Sequence, residues 1–208
     1  MNQAILPHSL QELLPDPLQL LAQGVLCRKA EHVFSAGAMP QWMFYVVRGE
    51  VALERSGVHG EHLILQRCRH GFVSEASLMV DTYHCNAVAL EETHLIRLPV
   101  QALRAELLKN PDFANRWMRT LNAEIMRLRM QCERLSLYSV QERLLHLIQT
   151  EGKQGHYPIP NGVKTLAGQL SVSHEALYRT LSDLTKQGVL ERTGNELVLL
   201  AKASTAEA

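Results

Sequence analysis

Two adjacent segments near the C-terminus carry apolar residues at helical spacing. They are Leu166 and Leu170 in the first segment, and Leu177, Leu181 and Leu184 in the second. Each spacing gives a helix one apolar face, and we expect both faces to bury against a common core. Ser173 stands between the segments at the position of an N-cap, so the second helix is predicted to begin near His174.

The second predicted helix carries a strip of polar side chains on the side away from its leucines. The strip consists of His174, Glu175, Tyr178, Arg179 and Ser182. Such a strip can enter a major groove, where an arginine donates two hydrogen bonds to guanine O6 and N7 and a glutamate accepts one from cytosine N4. The alternative is an ordinary ion pair between Glu175 and Arg179 on a solvated helix.

A hairpin is predicted after this helix. Residues 188–192 and 196–200 form two apolar-rich runs joined at Gly194-Asn195, a turn typical of paired strands. Helix, turn, helix and hairpin together resemble the winged helix-turn-helix of the Crp/Fnr family of bacterial transcription regulators. Residues 173–179 fit that family's recognition-helix signature, Ser-x-Glu-x-x-x-Arg.

The resemblance implies which residues of this domain contact DNA. They are Ser173, His174, Glu175, Tyr178 and Arg179, with Lys164 as a further phosphate contact beside Ser173 and nearby backbone N–H groups. Two positions depart from the family pattern. Ser171 stands where relatives often have glycine, which strains the turn if its φ is positive, and His174 stands where some relatives have another base-reading arginine.

The N-terminal half has a different pattern of apolar residues and turn residues. Residues 8–26 contain leucines interrupted by Pro15 and Pro17, which predicts short helical pieces. Apolar runs at residues 43–47, 51–53, 62–66 and 94–98 are separated by glycines, which predicts short antiparallel strands that close as a barrel or roll. The placement of Gly37, Gly49 and Gly71 resembles the cyclic-nucleotide-binding β-roll of the same family, so the resemblance extends over roughly residues 20–200.

A third pattern lies between these modules. Apolar residues follow an a/d heptad seam at Met118, Leu121, Ile125, Leu128, Cys132 and Leu135. A narrow seam is typical of a two-stranded coiled coil, and the alternative is a core helix lying on its own roll. We expect dimerisation through this helix, with Cys132 facing its twin as a reduced thiol.

The predicted fold class is α+β, with three parts. An antiparallel β-roll that acts as sensor covers residues 1–110, a long dimerisation helix covers 111–137, and a winged helix-turn-helix covers 138–208. A capping box at Ser139-Val140-Gln141-Glu142 opens the helix after the dimerisation helix. A hinge is therefore expected near residues 136–139.

The sequence does not identify the small molecule that the predicted β-roll binds as its effector. In relatives that bind cyclic nucleotides, a glutamate contacts the ribose, and an arginine and a small hydroxyl residue contact the cyclic phosphate. Glu75 fits the ribose position, but Tyr83 or His84 falls where the arginine belongs, with Cys85 near the hydroxyl position. Neither side chain reproduces a guanidinium's bidentate grip on phosphate, so we predict weak or no binding of cyclic AMP. The candidate effector-pocket residues are Glu75, Ser77, Tyr83 and His84.

Two other interpretations of the roll stay open. His84 and Cys85 are suitable ligands for a metal or haem, although adjacent strand residues point to opposite faces and seldom bind one ion. We predict no metal site there, and haem stays an alternative. The roll can also be purely structural.

Composition, charge and the absence of certain motifs limit the classes of function that the chain is expected to have. The formal net charge is zero, and from Ser139 onward seven Lys and Arg balance seven Asp and Glu, which argues against a generic polyanion binder. The four cysteines are far apart, so neither a zinc finger nor an iron–sulfur cluster is predicted. No apolar stretch approaches the roughly 20 residues of a membrane span, which predicts a cytoplasmic protein. The motifs GxSxG and HExxH and a Gly-rich phosphate loop are absent, so an enzyme is not expected.

The predicted function is that of a homodimeric, sequence-specific transcription regulator that binds a palindromic site in double-stranded DNA. RNA polymerase is expected as a further partner, and an unknown effector in the roll is expected to shift the recognition helices. The alternative is a small-molecule sensor module that signals through protein contacts instead of DNA.

Overall fold

A computed structural model describes residues 5–56, 62–159 and 162–200. The chain divides into two compact units, Met1–Thr120 and Leu121–Ala208, with the division inside the long helix. The fold is mixed helix and sheet, with antiparallel strands in the first unit and a small helical domain with a three-stranded sheet in the second.

The first unit opens with two short helices, α1 (His8–Leu13) and α2 (Asp16–Leu21), as the sequence predicted. The prediction of helical pieces up to residue 26 is wrong for its last residues, because β1 (Gln23–Cys27) is a strand. β1 pairs along its whole length with β8 (Thr93–Pro99), and this distant partner overrides the local helical pattern.

Eight strands form two four-stranded antiparallel sheets. The remaining strands are β2 (His32–Phe34), β3 (Trp42–Arg48), β4 (Val51–Ser56), β5 (His62–Cys68), β6 (Gly71–Phe72) and β7 (Asn86–Ala89). One sheet has the order β1-β8-β3-β6 and the other β2-β7-β4-β5. The four apolar runs of the sequence correspond to β3, β4, β5 and β8, which confirms the predicted antiparallel roll.

Inward-facing residues of both sheets form the core of the roll. The core includes Phe44, Val46 and Leu95 from the first sheet and Phe34, Val51, Leu53 and Ala87 from the second. The turn from β3 to β4 depends on Gly49, whose φ is +95°. A Cβ on Gly49 would lie 2.5 Å from the buried Thr93 hydroxyl oxygen, so only glycine fits.

Two helices follow the roll, α3 (Val100–Lys109) and α4 (Pro111–Ser136). Proline is suited to the first position of α4 because its missing N–H has no intrahelical partner there. The Asn110 side chain accepts a hydrogen bond from the Phe113 N–H at 3.0 Å and caps the helix. Among the described residues, no helix is long and apolar enough to span a bilayer.

The second unit contains the predicted helix-turn-helix and wing. Its elements are α5 (Val140–Glu151), β9 (His156–Pro158), α6 (Gly162–Gln169), α7 (His174–Lys186), β10 (Leu190–Thr193) and β11 (Glu196–Leu199). The capping box at the start of α5 has both of its hydrogen bonds, and Thr193 pairs with Glu196 across the Gly194-Asn195 turn. β9 was not predicted, and it completes the sheet by pairing with β11.

Candidate functional site

Helix α7 begins where the sequence predicted. The Ser173 hydroxyl oxygen accepts a hydrogen bond from the Ala176 N–H at 3.1 Å, which fixes the first turn. In the turn before it, Ser171 has a φ of +54°, the left-handed conformation that glycine adopts more easily. The turn is therefore strained at the residue that the sequence singled out.

The two faces of α7 differ completely in burial. Leu177, Leu181 and Leu184 are buried in the core of the second unit with leucines of α5 and α6. The side chains of the polar strip are all exposed: His174, Glu175, Tyr178, Arg179 and Ser182. One helix thus presents the strip as a continuous outer surface, held by an apolar face behind it.

The charges of the strip are not paired with each other. Within the described ranges, no carboxylate oxygen lies within 4.0 Å of the Arg179 guanidinium, so the predicted alternative of a Glu175–Arg179 ion pair is not observed. The pKa of Glu175 is lowered by its own backbone N–H and then by the Ser173 hydroxyl, with His174 contributing. These hydrogen bonds and the nearby His174 favour the charged form of the Glu175 carboxylate.

Two aromatic side chains of the polar strip, near the N-terminus of α7, contact each other. His174 and Tyr178 lie one helical turn apart and meet edge to face, with ring centroids 4.5 Å apart. The contact orients both rings. Lys164, the other predicted contact, is exposed on α6, so Lys164 and Ser173 occupy the two helices of the motif.

Arg143 of α5 joins the helix-turn-helix to the end of α4. Its guanidinium donates hydrogen bonds to the carbonyls of Leu137 at 3.0 Å, Leu135 at 3.3 Å and Leu170 at 3.3 Å. Leu135 and Leu137 lie at the C-terminal end of α4, and Leu170 follows α6 directly. One side chain therefore contacts both helix ends, where carbonyls lack intrahelical partners.

The heptad seam of α4 is largely uncovered. Met118 is 60% exposed and Ile125 is 47% exposed, while Leu121 and Leu128 are half-buried and Cys132 and Leu135 are exposed. The same helix packs on its own unit through other residues, because Phe113 and Trp117 are buried and Trp117 contacts the Phe72 ring edge to face. The packing face and the seam are thus different stripes of α4.

The candidate effector residues divide into two groups. Ser77 and Tyr83 are buried in the roll, and Glu75 is half-buried at the start of a short 3₁₀ turn, Glu75–Ser77. The Tyr83 hydroxyl donates a hydrogen bond to the Trp42 carbonyl at 2.8 Å, and its ring stacks on Phe34 with centroids 4.0 Å apart. Burial raises the pKa of Tyr83, so it is a neutral phenol that packs the core.

His84 does not belong with the inward-facing candidates. Tyr83 and Cys85 are buried on either side of it, whereas His84 itself is exposed in the segment that leads into β7. The role of His84 in an effector pocket therefore stays a prediction, with its side chain exposed at the surface. Across the described part of the chain, no group of three or more His, Cys, Asp and Glu is arranged to hold a metal ion.

Arg55 is a cation that the sequence interpretation missed. Antiparallel pairing of Glu54 with Asn86 and of Leu53 with Ala87 places Arg55 opposite Cys85 if the register continues by one residue. Arg55 itself is exposed, whereas Val51 and Leu53 of the same strand belong to the core. Burial raises the pKa of the Cys85 thiol, while the Arg55 charge lowers it and the Glu75 charge raises it.

The apolar run predicted from the sequence, residues 51–53, ended before Arg55, and only the observed strand β4 (Val51–Ser56) includes this residue. Cys85 itself is 1% exposed, and Cys27 and Cys68 are also buried in the roll core. All three cysteines are free thiols.

Comparisons with known proteins agree with this architecture. The model of the cyclic nucleotide-binding domain matches residues 25–110. The chain is 25% identical to the anaerobic regulatory protein of Bacillus subtilis over 96% of this chain and 90% of that protein. It is 24% identical to the global nitrogen regulator of Synechococcus elongatus over 74% of this chain and 69% of that protein.

A solved structure has the same fold over most of its length. FixK2 from Bradyrhizobium japonicum superimposes with a TM-score of 0.64 at 19% identity, covering 86% of this chain and 93% of that chain. The shared order of roll, long helix and winged helix-turn-helix shows that the chain has the fold of FixK2, and residues 25–110 of the first unit are similar to the cyclic nucleotide-binding domain.

Proposed function

We propose that the chain forms a homodimer and binds a palindromic site in double-stranded DNA through helix α7, regulating transcription together with RNA polymerase. The observation that supports this most strongly is the polar strip of α7, exposed along one face while the leucines behind it are buried. In this proposal Arg179 reads guanine and Glu175 reads cytosine, with Lys164 and Ser173 on phosphates.

The seam of α4 supports the dimer. Six residues at heptad spacing leave an apolar stripe uncovered in one chain, and a second copy covers such a stripe by packing knobs into holes. Two subunits double the number of phosphate contacts, which compensates for a C-terminal domain with no net positive charge. The twofold axis then fixes the spacing of two recognition helices.

The test of DNA binding uses the full chain and fragments of the promoter region upstream of its own gene. Fluorescence anisotropy should give specific binding to one fragment, and a footprint should locate a palindrome. Arg179→Ala should weaken specific affinity by about 1–3 kcal/mol per half-site and relax one base preference. Lys186→Ala, which removes an exposed cation of the same helix outside the strip, is the matched control and should weaken all sequences equally.

Two results would contradict this assignment. An unchanged footprint and affinity for Arg179→Ala would remove Arg179 from the reading surface. Failure of every fragment to bind in low salt would favour the alternative, a sensor module that signals through protein contacts.

For the effector we propose that cyclic AMP binds weakly or not at all. Tyr83 or His84 stands where a phosphate-binding arginine is expected, with the buried Cys85 near the hydroxyl position, and the Tyr83 hydroxyl already donates a hydrogen bond to the Trp42 carbonyl. If an anionic ligand enters the roll, Arg55 at the end of β4 is the cation that we propose for it. Ligand binding would then shift the equilibrium between DNA-competent and incompetent states.

Calorimetry with cyclic AMP tests this proposal. A dissociation constant in the low micromolar range would overturn it, and Arg55→Ala would then show whether Arg55 holds the phosphate. An absorption spectrum of the natively purified protein tests haem, because a Soret band would revive that alternative.

A further inference from the structure

A buried arginine ties the last turn of α4 to the last residue of α5. Arg134 has a side chain that is only 2% exposed, and its Nη2 donates a hydrogen bond to Oε1 of Glu151, whose side chain is 28% exposed. The same Nη2 lies 3.5 Å from the Thr150 hydroxyl oxygen. A guanidinium this deeply buried needs a paired carboxylate, since removing one partner leaves the other charge uncompensated.

The second oxygen of the same carboxylate points to the helix-turn-helix. Glu151 Oε2 accepts a hydrogen bond from Nε2 of Gln169 at 3.5 Å, and Oε1 of Gln169 accepts one from the Tyr157 hydroxyl at 3.1 Å. Gln169 is the last residue of α6, two residues before the strained Ser171. Glu151 therefore links the end of α4 to the end of α6, with a connection onward to β9.

Two more contacts cross the break between α4 and α5. Arg143 contacts carbonyls at the ends of α4 and α6, as described above. His146 of α5 has its Nε2 3.5 Å from an oxygen of Glu133 on α4. The residues 137–139 that separate the two helices are thus bridged on several sides by side chains of the same unit.

We propose that Glu151 is a positioning residue that closes the joint between α4 and the helix-turn-helix, so that α7 is presented at a fixed angle to the dimerisation helix. The segment 136–139 is then a locked joint instead of the free hinge that the helix break predicts. The consequence for DNA rests on the proposed function, but the locked joint itself does not.

The first arm of the test measures the joint without DNA. In a Cys132→Ser background, spin labels are placed at Ala123→Cys on α4 and Ser182→Cys on α7, both exposed, while the other native thiols are buried. Labelled chains are mixed with excess unlabelled chains so that only distances within one chain are measured by pulsed electron resonance. We expect one narrow distance distribution for the parent and a width increased about twofold by Glu151→Gln.

Glu124→Gln is the matched control. Glu124 pairs with Arg127 three residues later on the same helix, so Glu124→Gln removes a carboxylate from α4 and breaks an ion pair within that helix. The control should leave the width unchanged. An unchanged width in Glu151→Gln, or equal broadening in Glu124→Gln, would overturn the proposal.

Gln169→Ala is the second variant, used if Glu151→Gln does not fold. It removes the link to α6 and leaves the Arg134–Glu151 pair in place. Broadening in Gln169→Ala supports the locked joint, and an unchanged width overturns it.

The second arm measures DNA discrimination. A fixed angle should make the parent prefer its natural half-site spacing over a site with one base pair inserted, and Glu151→Gln should reduce that preference about tenfold. A merely structural role would lower thermal stability without changing this ratio. Broadening in the first arm with no DNA binding by any variant would retain the joint and reject the proposed function.

Discussion

Replacing Arg143 by methionine should destabilise the second unit by about 3 kcal/mol. The Arg143 bonds to Leu137 and Leu170 are partly buried, and charge-assisted hydrogen bonds of this kind contribute about 1.5 kcal/mol each at the lower end of their range. The bond to Leu135 is exposed and adds little. Methionine keeps much of the apolar stem of arginine. The loss of stability therefore measures the contribution of the hydrogen bonds from the guanidinium to the carbonyls.

The assay separates the two units by spectroscopy. Both tryptophans, Trp42 and Trp117, lie in the first unit, so their fluorescence follows that unit alone. Far-ultraviolet circular dichroism follows the helices, including those of the second unit. With an m-value of about 1.5 kcal/mol/M, the urea midpoint of the helical transition should fall by about 2 M while the tryptophan transition stays in place.

Arg143→Lys provides the graded control. A lysine keeps the charge but offers one compact ammonium instead of a planar fork, so it should recover about half of the loss. A helical midpoint for Arg143→Met within about 0.3 M of the parent would refute the reasoning that this side chain joins the two helix ends. An equal shift of the tryptophan transition would refute its restriction to the second unit.

Other predictions concern single turns. Ser171→Gly should raise the free energy of unfolding by about 1 kcal/mol, measured by urea denaturation, because glycine relieves the positive φ; a loss of stability would contradict this. Ser139→Ala should lower it by about 1 kcal/mol through loss of the N-cap of α5. The pKa of Glu142 is lowered first by the backbone N–H of Ser139 and then by its hydroxyl, so the capping carboxylate stabilises the fold above its ordinary pKa. That contribution disappears as pH falls through the lowered pKa, and the difference between Ser139→Ala and the parent should shrink in acid. Gly49→Ala should cost about 3 kcal/mol by tryptophan-monitored unfolding, because its Cβ meets a buried threonine hydroxyl, whereas Gly37→Ala, with open space around its Cβ, should cost about 1 kcal/mol.

The C-terminal domain was the more predictable half of the fold. Its helices carry their own boundary signals, such as Ser173 and the capping box at Ser139, and the wing carries the Gly194-Asn195 turn. These signals act between residues that are close in the chain. The strands β1 and β9 were missed because each is stabilised by pairing with a strand that lies far along the sequence.

The candidate site also has a part that local sequence signals predict and a part that depends on contacts between distant residues. The polar strip of α7 could be predicted because helical periodicity alone separates it from the leucines. The burial of Tyr83 and the exposure of His84 could not be predicted, because the segment before β7 has no regular secondary structure from which a periodicity follows. Arg55 and the links of Glu151 needed strand register and helix packing, which no local pattern provides.

The unpaired charges of α7 have a consequence for the speed of recognition. A pair between Glu175 and Arg179 would stabilise the isolated helix by about 0.3–0.5 kcal/mol, and the helix forgoes that gain. If Arg179 reads a base edge as proposed, its guanidinium meets that edge without first breaking an ion pair with Glu175. A search along DNA would then need no rearrangement of this pair at each candidate site.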